Sequence, residues 1–251
     1  MMHQGRYITR FAESEADLHA AQHLRWLCFL ARSRQAGEAD ESGELDHDAH
    51  DAICRHVLIE EASSGALVCC YRILPLSGGA EIARSYSAQY YNLSSLAHYD
   101  GKLVELGRFC IHPDWRDPDI LRLAWARLTD YVETEGVGLL FGCSSFVGTE
   151  PDSYADAFAM LRERHLAPKR WLPRVKAPQV FRFARALRLR RPDPRKAMAA
   201  MPPLLRSYLA MGGWVSDHAV VDRQLNTLHV FTGLEISAIP PARRRLLRGG
   251  A

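Results

Sequence analysis

Apolar and polar side chains alternate from Leu103 to Ile111 in the way a strand with a buried face requires, until His112-Pro113 breaks the pattern. Ile120 to Val132, ILRLAWARLTDYV, then takes up the 3.6-residue period of a helix. Strands are also predicted over Tyr7–Phe11, His56–Glu60, Ala66–Leu74, Gly138–Phe146 and Thr227–Ile236, the second and third joined by the turn Ser63-Ser64-Gly65. Ser14 with Asp17 three residues on opens a helix by capping logic, with Leu18, Ala21, Leu24 and Cys28 as its apolar stripe. Ser153–His165 and Pro202–Met211 read as further helices, and no internal repeat is present. Strands alternating with helices, plus one hairpin, predict a mixed α/β sheet rather than a bundle or a sandwich.

Charge changes that picture at one point. Glu105 and Arg108 place a carboxylate and a guanidinium inside the Leu103–Ile111 strand, where buried positions rarely carry charge without a partner or a task. A structural ion pair and a functional pair both fit. The 251 residues, 47% hydrophobic and 24% charged, suffice for a sizeable core in one large or two small domains. No stretch reaches the roughly 18 apolar residues of a spanning helix, and the N-terminus carries no apolar run after its basic residues. An unexported chain that does not span a membrane is therefore expected. The six cysteines sit in apolar patterns without a CxxC pair, as reduced core thiols do.

The net charge of +3 conceals an asymmetry. Glu38 to Glu61 holds nine carboxylates against Arg55, whereas Pro168 to Lys196 holds eleven Lys and Arg against Asp193, a formal +10. Five prolines in or beside that basic stretch argue against one continuous helix. Such a segment favours an acidic protein, an anionic lipid surface or nucleic acid as partner. No helix-turn-helix or base-stacking signature favours the last of these.

Read together, Arg25-x-x-x-Phe29, Glu44-x-Asp46-x-Asp48-x-x-Asp51, Arg72-Ile-Leu-Pro75 and Glu105-Leu-Gly-Arg108-Phe109 resemble the acyl-homoserine-lactone synthases, acyltransferases of the Gcn5-related N-acetyltransferase fold. The likeness is closer to the ornithine lipid N-acyltransferases, often called hemolysin-like, carried also by CRHVLIEE, VCCYRILP, LLFGCSSF and PPLLRSYLAMGGWVSDHAVVD. It extends roughly from Arg25 to Ile236. The resemblance implies a central, mostly antiparallel mixed sheet flanked by helices. Residues 1–166 would form the acyltransferase core, with 167–251 a basic, C-terminal extension packed on it.

It also implies a reaction: a long, 3-hydroxylated acyl chain passing from acyl carrier protein to the α-amine of ornithine. No permanently bound cofactor is expected, the acyl-phosphopantetheine of the carrier being a co-substrate. Members of the fold that use acetyl-CoA place a Gly-rich turn where this chain has Arg116-Asp117-Pro118-Asp119. A proline without an N–H and two carboxylates suit a diphosphate poorly. An acidic carrier protein would instead meet the basic stretch, with Arg182, Arg185, Arg188, Arg190 and Arg191 as its docking residues.

A thioester is electrophilic enough for direct attack by an amine, so the chemistry needs a deprotonated amine, placement and oxyanion stabilisation rather than a protein nucleophile. Glu105 is the candidate to take or orient the amine proton, directly or through water. Arg25, Arg72 and Arg108 are planar donors for a carboxylate or phosphate, or partners for Asp46, Asp48 and Asp51. Phe29, Ser144 and Ser145 complete the candidate substrate contacts, and Asp222 is a further carboxylate for a second amine. The acidic, His-containing run Asp46 to Asp51 fits no standard metal-ligand spacing, and no metal is expected.

Three other readings stay open: glutamine as the acceptor, acyl-homoserine-lactone synthesis, and a non-enzymatic basic module binding membrane or nucleic acid. Lactone synthesis is disfavoured because Gln35 stands where those synthases usually carry a tryptophan. A cytoplasmic protein is expected, with peripheral contact at the inner face of the membrane. The tail Pro240 to Arg248, PPARRRLLR, would take part in that contact.

Overall fold

The computed structural model describes residues 2–31 and 44–240. In chain order the elements are β1 (Met2–Gln4), β2 (Tyr7–Phe11), α1 (Glu15–Phe29), β3 (Arg55–Glu61), β4 (Leu67–Leu76), β5 (Tyr91–Asn92), β6 (Lys102–Ile111), α2 (Pro118–Glu135), β7 (Val137–Val147), α3 (Ala155–Arg164), β8 (Arg174–Val175), β9 (Val180–Phe181), α4 (Phe183–Ala186), α5 (Pro194–Ala200), α6 (Pro203–Ala210), β10 (Trp214–Asp222) and β11 (Thr227–Glu235). This is the expected mixed α/β fold, with a mostly antiparallel sheet and flanking helices.

The described residues fall into two compact units, one from residues 2–31, 44–75 and 106–136, the other from Leu76–Glu105 and Val137–Pro240. In the first, β1 to β4 pair successively as antiparallel neighbours. Helix α1 begins at a complete capping box: Asp17 N donates to Ser14 Oγ at 3.1 Å, and the Asp17 carboxylate accepts from Ser14 N. Its apolar face meets Leu58, Cys70 and Cys110 through Ala21 and Leu24. Strand β4 continues through Pro75 to Leu76, beyond the end the proline suggests. Its pairing with β3 stops at Ile73, so the missing N–H at Pro75 leaves no bond to β3 unmade.

In the second unit, β7, β11, β10 and β9 lie side by side and antiparallel, β11 pairing with β7 over its whole length from Thr227↔Val147 to Glu235↔Leu139. One face is covered by α3 to α6, whose buried Phe158, Leu161, Phe183, Ala197, Met201 and Leu205 pack with Phe146, Val215, Ala219, Leu228 and Val230. The basic stretch is broken into short pieces, as its prolines require. It is nevertheless anchored: Phe183 is fully buried and stacks on Phe158 at 5.2 Å. Strand β10, which the sequence pattern does not announce, carries a bulge between Val215 and Ala219 that spans the polar residues Ser216, Asp217 and His218.

Candidate active site

In the first unit, α1, the turn Ala49–Ala52, β4 and β6 bring Arg25, Arg72 and Arg108 onto Asp46, Asp48 and Asp51. Arg25, only 1% exposed, donates from Nε to Asp46 Oδ2 at 3.0 Å and from Nη2 to Asp51 Oδ2 at 2.7 Å and to the Asp46 carbonyl. Arg72, 2% exposed, forks onto Asp48 with Nη1 at 2.7 Å and Nη2 at 2.8 Å, and Nη1 also reaches Asp51 Oδ1 at 2.8 Å. Arg108 Nε donates to Asp46 Oδ2 at 3.0 Å, with its guanidinium 6.0 Å from the Phe29 ring centre. Gln22, which the sequence reading passed over, adds Nε2 to Asp51 Oδ2 at 3.0 Å. A glutamine on the helix face next to the apolar stripe gave the one available signal.

The segment carrying these carboxylates is itself capped. Asp48 accepts from His50 N at 2.8 Å and starts the short turn that presents Asp51. Burial pushes the Asp51 carboxyl up, but the bonds and charge of Arg25, with Gln22 and Arg72, outweigh it and hold it well below the usual carboxylate range. Asp48 is lowered by the same balance, burial being overcome by Arg72 and Arg108. Burial likewise lowers His56, whose Nε2 lies 3.1 Å from the Asp51 carbonyl. Among the described residues, Arg25 Nη1 has no hydrogen-bond partner. Arg108 adopts φ +51°, a left-handed conformation that costs a non-glycine residue about 1–2 kcal/mol and so needs its ion pairs to hold it.

Glu105, three residues before Arg108 on β6, is 4% exposed and belongs to the second unit. Three donors converge on its carboxylate: Tyr86 N at 2.8 Å to Oε2, and Ser87 N at 2.7 Å and Ser87 Oγ at 2.6 Å to Oε1. Ser87 Oγ also lies 3.4 Å from Cys143 Sγ on β7. Tyr86 packs on Tyr90, and Tyr90 on His229, with ring centres 5.3 and 5.0 Å apart. His229 is buried and its pKa falls to about 4, burial disfavouring the cation.

The remaining candidates stand elsewhere. Ser144 is buried and its Oγ accepts from Thr232 Oγ1 at 2.9 Å, while Ser145 is exposed on the opposite face of β7. Asp222 accepts from Leu225 N at 3.0 Å and closes the β10–β11 turn. Of the five candidate docking arginines, Arg182 is the N-cap of α4, Arg185 lies on it and the others follow; Arg182, Arg185, Arg188 and Arg191 are exposed, and Arg190 is held by Asp156 at 3.2 Å from both Nε and Nη2. No group of three or more metal-ligating side chains occurs among the described residues. At the start of α2, Asp117 takes the N-cap, accepting from Asp119 N at 2.9 Å and from Tyr7 Oη at 2.9 Å, with Pro118 as the first helical residue. The Pro240 to Arg248 tail lies outside the described residues beyond Pro240, and so does Gln35.

Comparison with known proteins gives a consistent result. Residues 24–126 match the family model described as an acetyltransferase (GNAT) domain. A protein of Rhodobacter capsulatus named L-ornithine N(alpha)-acyltransferase is 33% identical over 244 residues, covering 95% of this chain and 93% of that one. One of the same name from Rhizobium meliloti is 32% identical, with 92% and 80% covered. Among solved structures, FeeM, an N-acyl amino acid synthase from uncultured soil microbes, superposes with a TM-score of 0.51 at 11% identity, covering 95% of this chain and 98% of that one, which speaks for the fold.

Proposed function

The chain belongs to the family of L-ornithine N(alpha)-acyltransferases and is an acyltransferase acting on an amine, and from that premise we propose that it moves a long 3-hydroxyacyl group from acyl carrier protein to the α-amine of ornithine, giving a lyso-ornithine lipid. The observation that carries the acceptor is the likeness over 95% of the chain to a relative of that name. In the reaction the amine nitrogen attacks the thioester carbonyl, the tetrahedral intermediate expels the pantetheine thiolate, and the proton lost by nitrogen ends on sulfur.

Glu105 receives the amine proton, directly or through a water, and the three donors on its oxygens fix the carboxylate in place. Its fixed negative charge also stabilises the nitrogen while that nitrogen carries positive charge. In the first unit, the Arg–Asp cluster supplies planar donors suited to a carboxylate and, in Asp48 and Asp51, negative charge suited to a second amine. Support for a carrier protein over coenzyme A comes from Asp117: its carboxylate caps the α2 N-terminus, where a diphosphate would have to bind. Arg182 to Arg191 then receive the acidic carrier, and the product, an amphiphile, leaves for the inner face of the cytoplasmic membrane.

The test is incubation of the purified protein with 3-hydroxyacyl carrier protein and either ornithine or glutamine, followed by mass spectrometry. N-acyl-ornithine alone supports the reading. N-acyl-glutamine in its place reassigns the acceptor, and no product with either removes the proposed donor and acceptor together.

A further inference from the structure

The sequence FARALRLRR over residues 183–191 folds so that its apolar side chains take two opposite directions. Phe183 is fully buried and Leu187 packs at the edge of the same core, Leu187 N donating to the Phe183 carbonyl at 2.9 Å. Leu189 goes the other way and is 86% exposed, more than any other large hydrophobic residue described. Around it, Arg182, Arg185, Arg188 and Arg190, with Ala186, line an open groove of about 460 Å³. Leu189 adds nothing to the core, and a lone exposed leucine is ordinary on a protein surface; what sets this one apart is the set of arginines around it.

The rigidity of this surface follows from its footing. The Phe183–Phe158 stack, the bond from Arg190 N to the Leu187 carbonyl at 3.0 Å and the Asp156–Arg190 pair all fix the backbone on which Leu189 stands. Because Asp156 neutralises Arg190, the cations of the groove free of an ion pair among the described residues are Arg182, Arg185 and Arg188, with Arg191 just beyond it.

We infer that Leu189 is the apolar anchor of the surface that docks the acidic carrier protein, with Arg182, Arg185 and Arg188 gripping carboxylates around it. The inference rests on the carrier-protein reading of the donor given above. Charge complementarity selects an acidic partner. Every cation of the groove is an arginine, whose fork matches carboxylates bidentately. A single leucine is too little apolar surface to hold a protein on lipid. An apolar centre with a polar rim is the general anatomy of a protein interface, and arginine is among the residues enriched there.

The experiment measures Kd for fluorescently labelled holo-carrier protein by anisotropy, and KM and kcat for 3-hydroxyacyl carrier protein, for the full chain and for Leu189→Ala and Leu189→Glu. At this exposure neither substitution disturbs the core, which a thermal melt verifies. Leu189→Ala is expected to weaken Kd and raise KM about tenfold with kcat at saturation unchanged, and Leu189→Glu to weaken both further. Raising salt weakens carrier binding by screening the arginines, while the ratio between wild type and Leu189→Ala persists, because the apolar contribution is not screened. Unchanged Kd and KM in both variants overturn the inference while leaving the donor assignment standing. A wild-type chain that neither binds the carrier nor uses its thioester removes the donor reading itself. Cosedimentation with phosphatidylglycerol vesicles that Leu189→Glu abolishes, with carrier affinity untouched, gives the surface to lipid and overturns the inference.

Discussion

Replacing Glu105 by glutamine separates charge from shape at the centre of the proposed chemistry. In the native chain one oxygen accepts from Ser87 N and Oγ and the other from Tyr86 N. A glutamine keeps one carbonyl oxygen and turns the other position into an NH2. If the oxygen stays with Ser87, the amide nitrogen faces the Tyr86 N–H, donor against donor, in a site 4% exposed. Losing one charge-assisted bond and leaving a buried donor unmatched costs about 2–3 kcal/mol. For a chain of this size that is a fall of roughly 4–12 °C in Tm. Initial rates with the acyl carrier protein donor should drop by at least about a hundredfold in kcat, a general-base contribution of ordinary size.

The pH dependence then divides the two roles of this carboxylate. If Glu105 passes on the amine proton, the acid limb of the kcat profile changes shape in Glu105→Gln. If it only fixes the Tyr86–Ser87 turn, the whole profile sinks without changing shape, and Ser87→Ala, which removes the 2.6 Å bond from Oγ along with the weaker Oγ contact to Cys143, reproduces part of the fall. A folded Glu105→Gln protein with wild-type kcat would refute the reasoning.

Asp51→Asn leaves Arg25 and Arg72 buried with one compensating charge fewer, and should destabilise by about 3–5 kcal/mol in urea unfolding; a loss below about 1 kcal/mol would show the cluster to be solvated. Acidification should weaken the fold in two stages. His229, neutral in the folded chain until about pH 4 but protonated below about 6.5 when unfolded, takes away roughly 3 kcal/mol as pH falls between those values, and His229→Phe should flatten that stage in denaturation measured from pH 7 to 4. Asp48 and Asp51, with lowered folded pKa values, contribute stability that is whole above about pH 4 and is lost as pH falls below it, so the second stage should be shallower in Asp51→Asn. Gly233→Ala would set a Cβ 2.4 Å from the Trp214 ring and should cost about 1–3 kcal/mol by overpacking, read as a lower thermal midpoint.

Sequence alone announced most strands because their apolar alternation is local. It missed the two- and three-residue strands β1, β5, β8 and β9, too short for a period to show, and β10, where Ser216, Asp217 and His218 interrupt the period and a bulge absorbs the irregularity. The charges that converge in the site were equally readable, Arg25, Arg72 and Arg108 with Asp46, Asp48 and Asp51, since a strand or helix that buries charge must match it. What holds Glu105 was not readable. Two of its three donors are backbone N–H groups of Tyr86 and Ser87, which every non-proline residue possesses, so only the fold of that turn reveals them. All three arginines form ion pairs with the aspartates, which does not exclude binding, since both roles can hold at once.

The matched set of arginines and aspartates, with Arg25, Arg72, Asp46 and Asp51 buried and Arg108 and Asp48 half-buried, also limits how this chain can vary over generations. Changing a buried member strands a counter-charge inside the protein, a penalty comparable to a large part of the total stability of a domain, and changing a half-buried one costs less. Drift by one substitution at a time is therefore closed at these positions, whereas paired replacements remain open, because the cost of the second change depends on the first. Variants recovered from a random library under selection for folding should carry the six positions either intact or altered in compensating pairs.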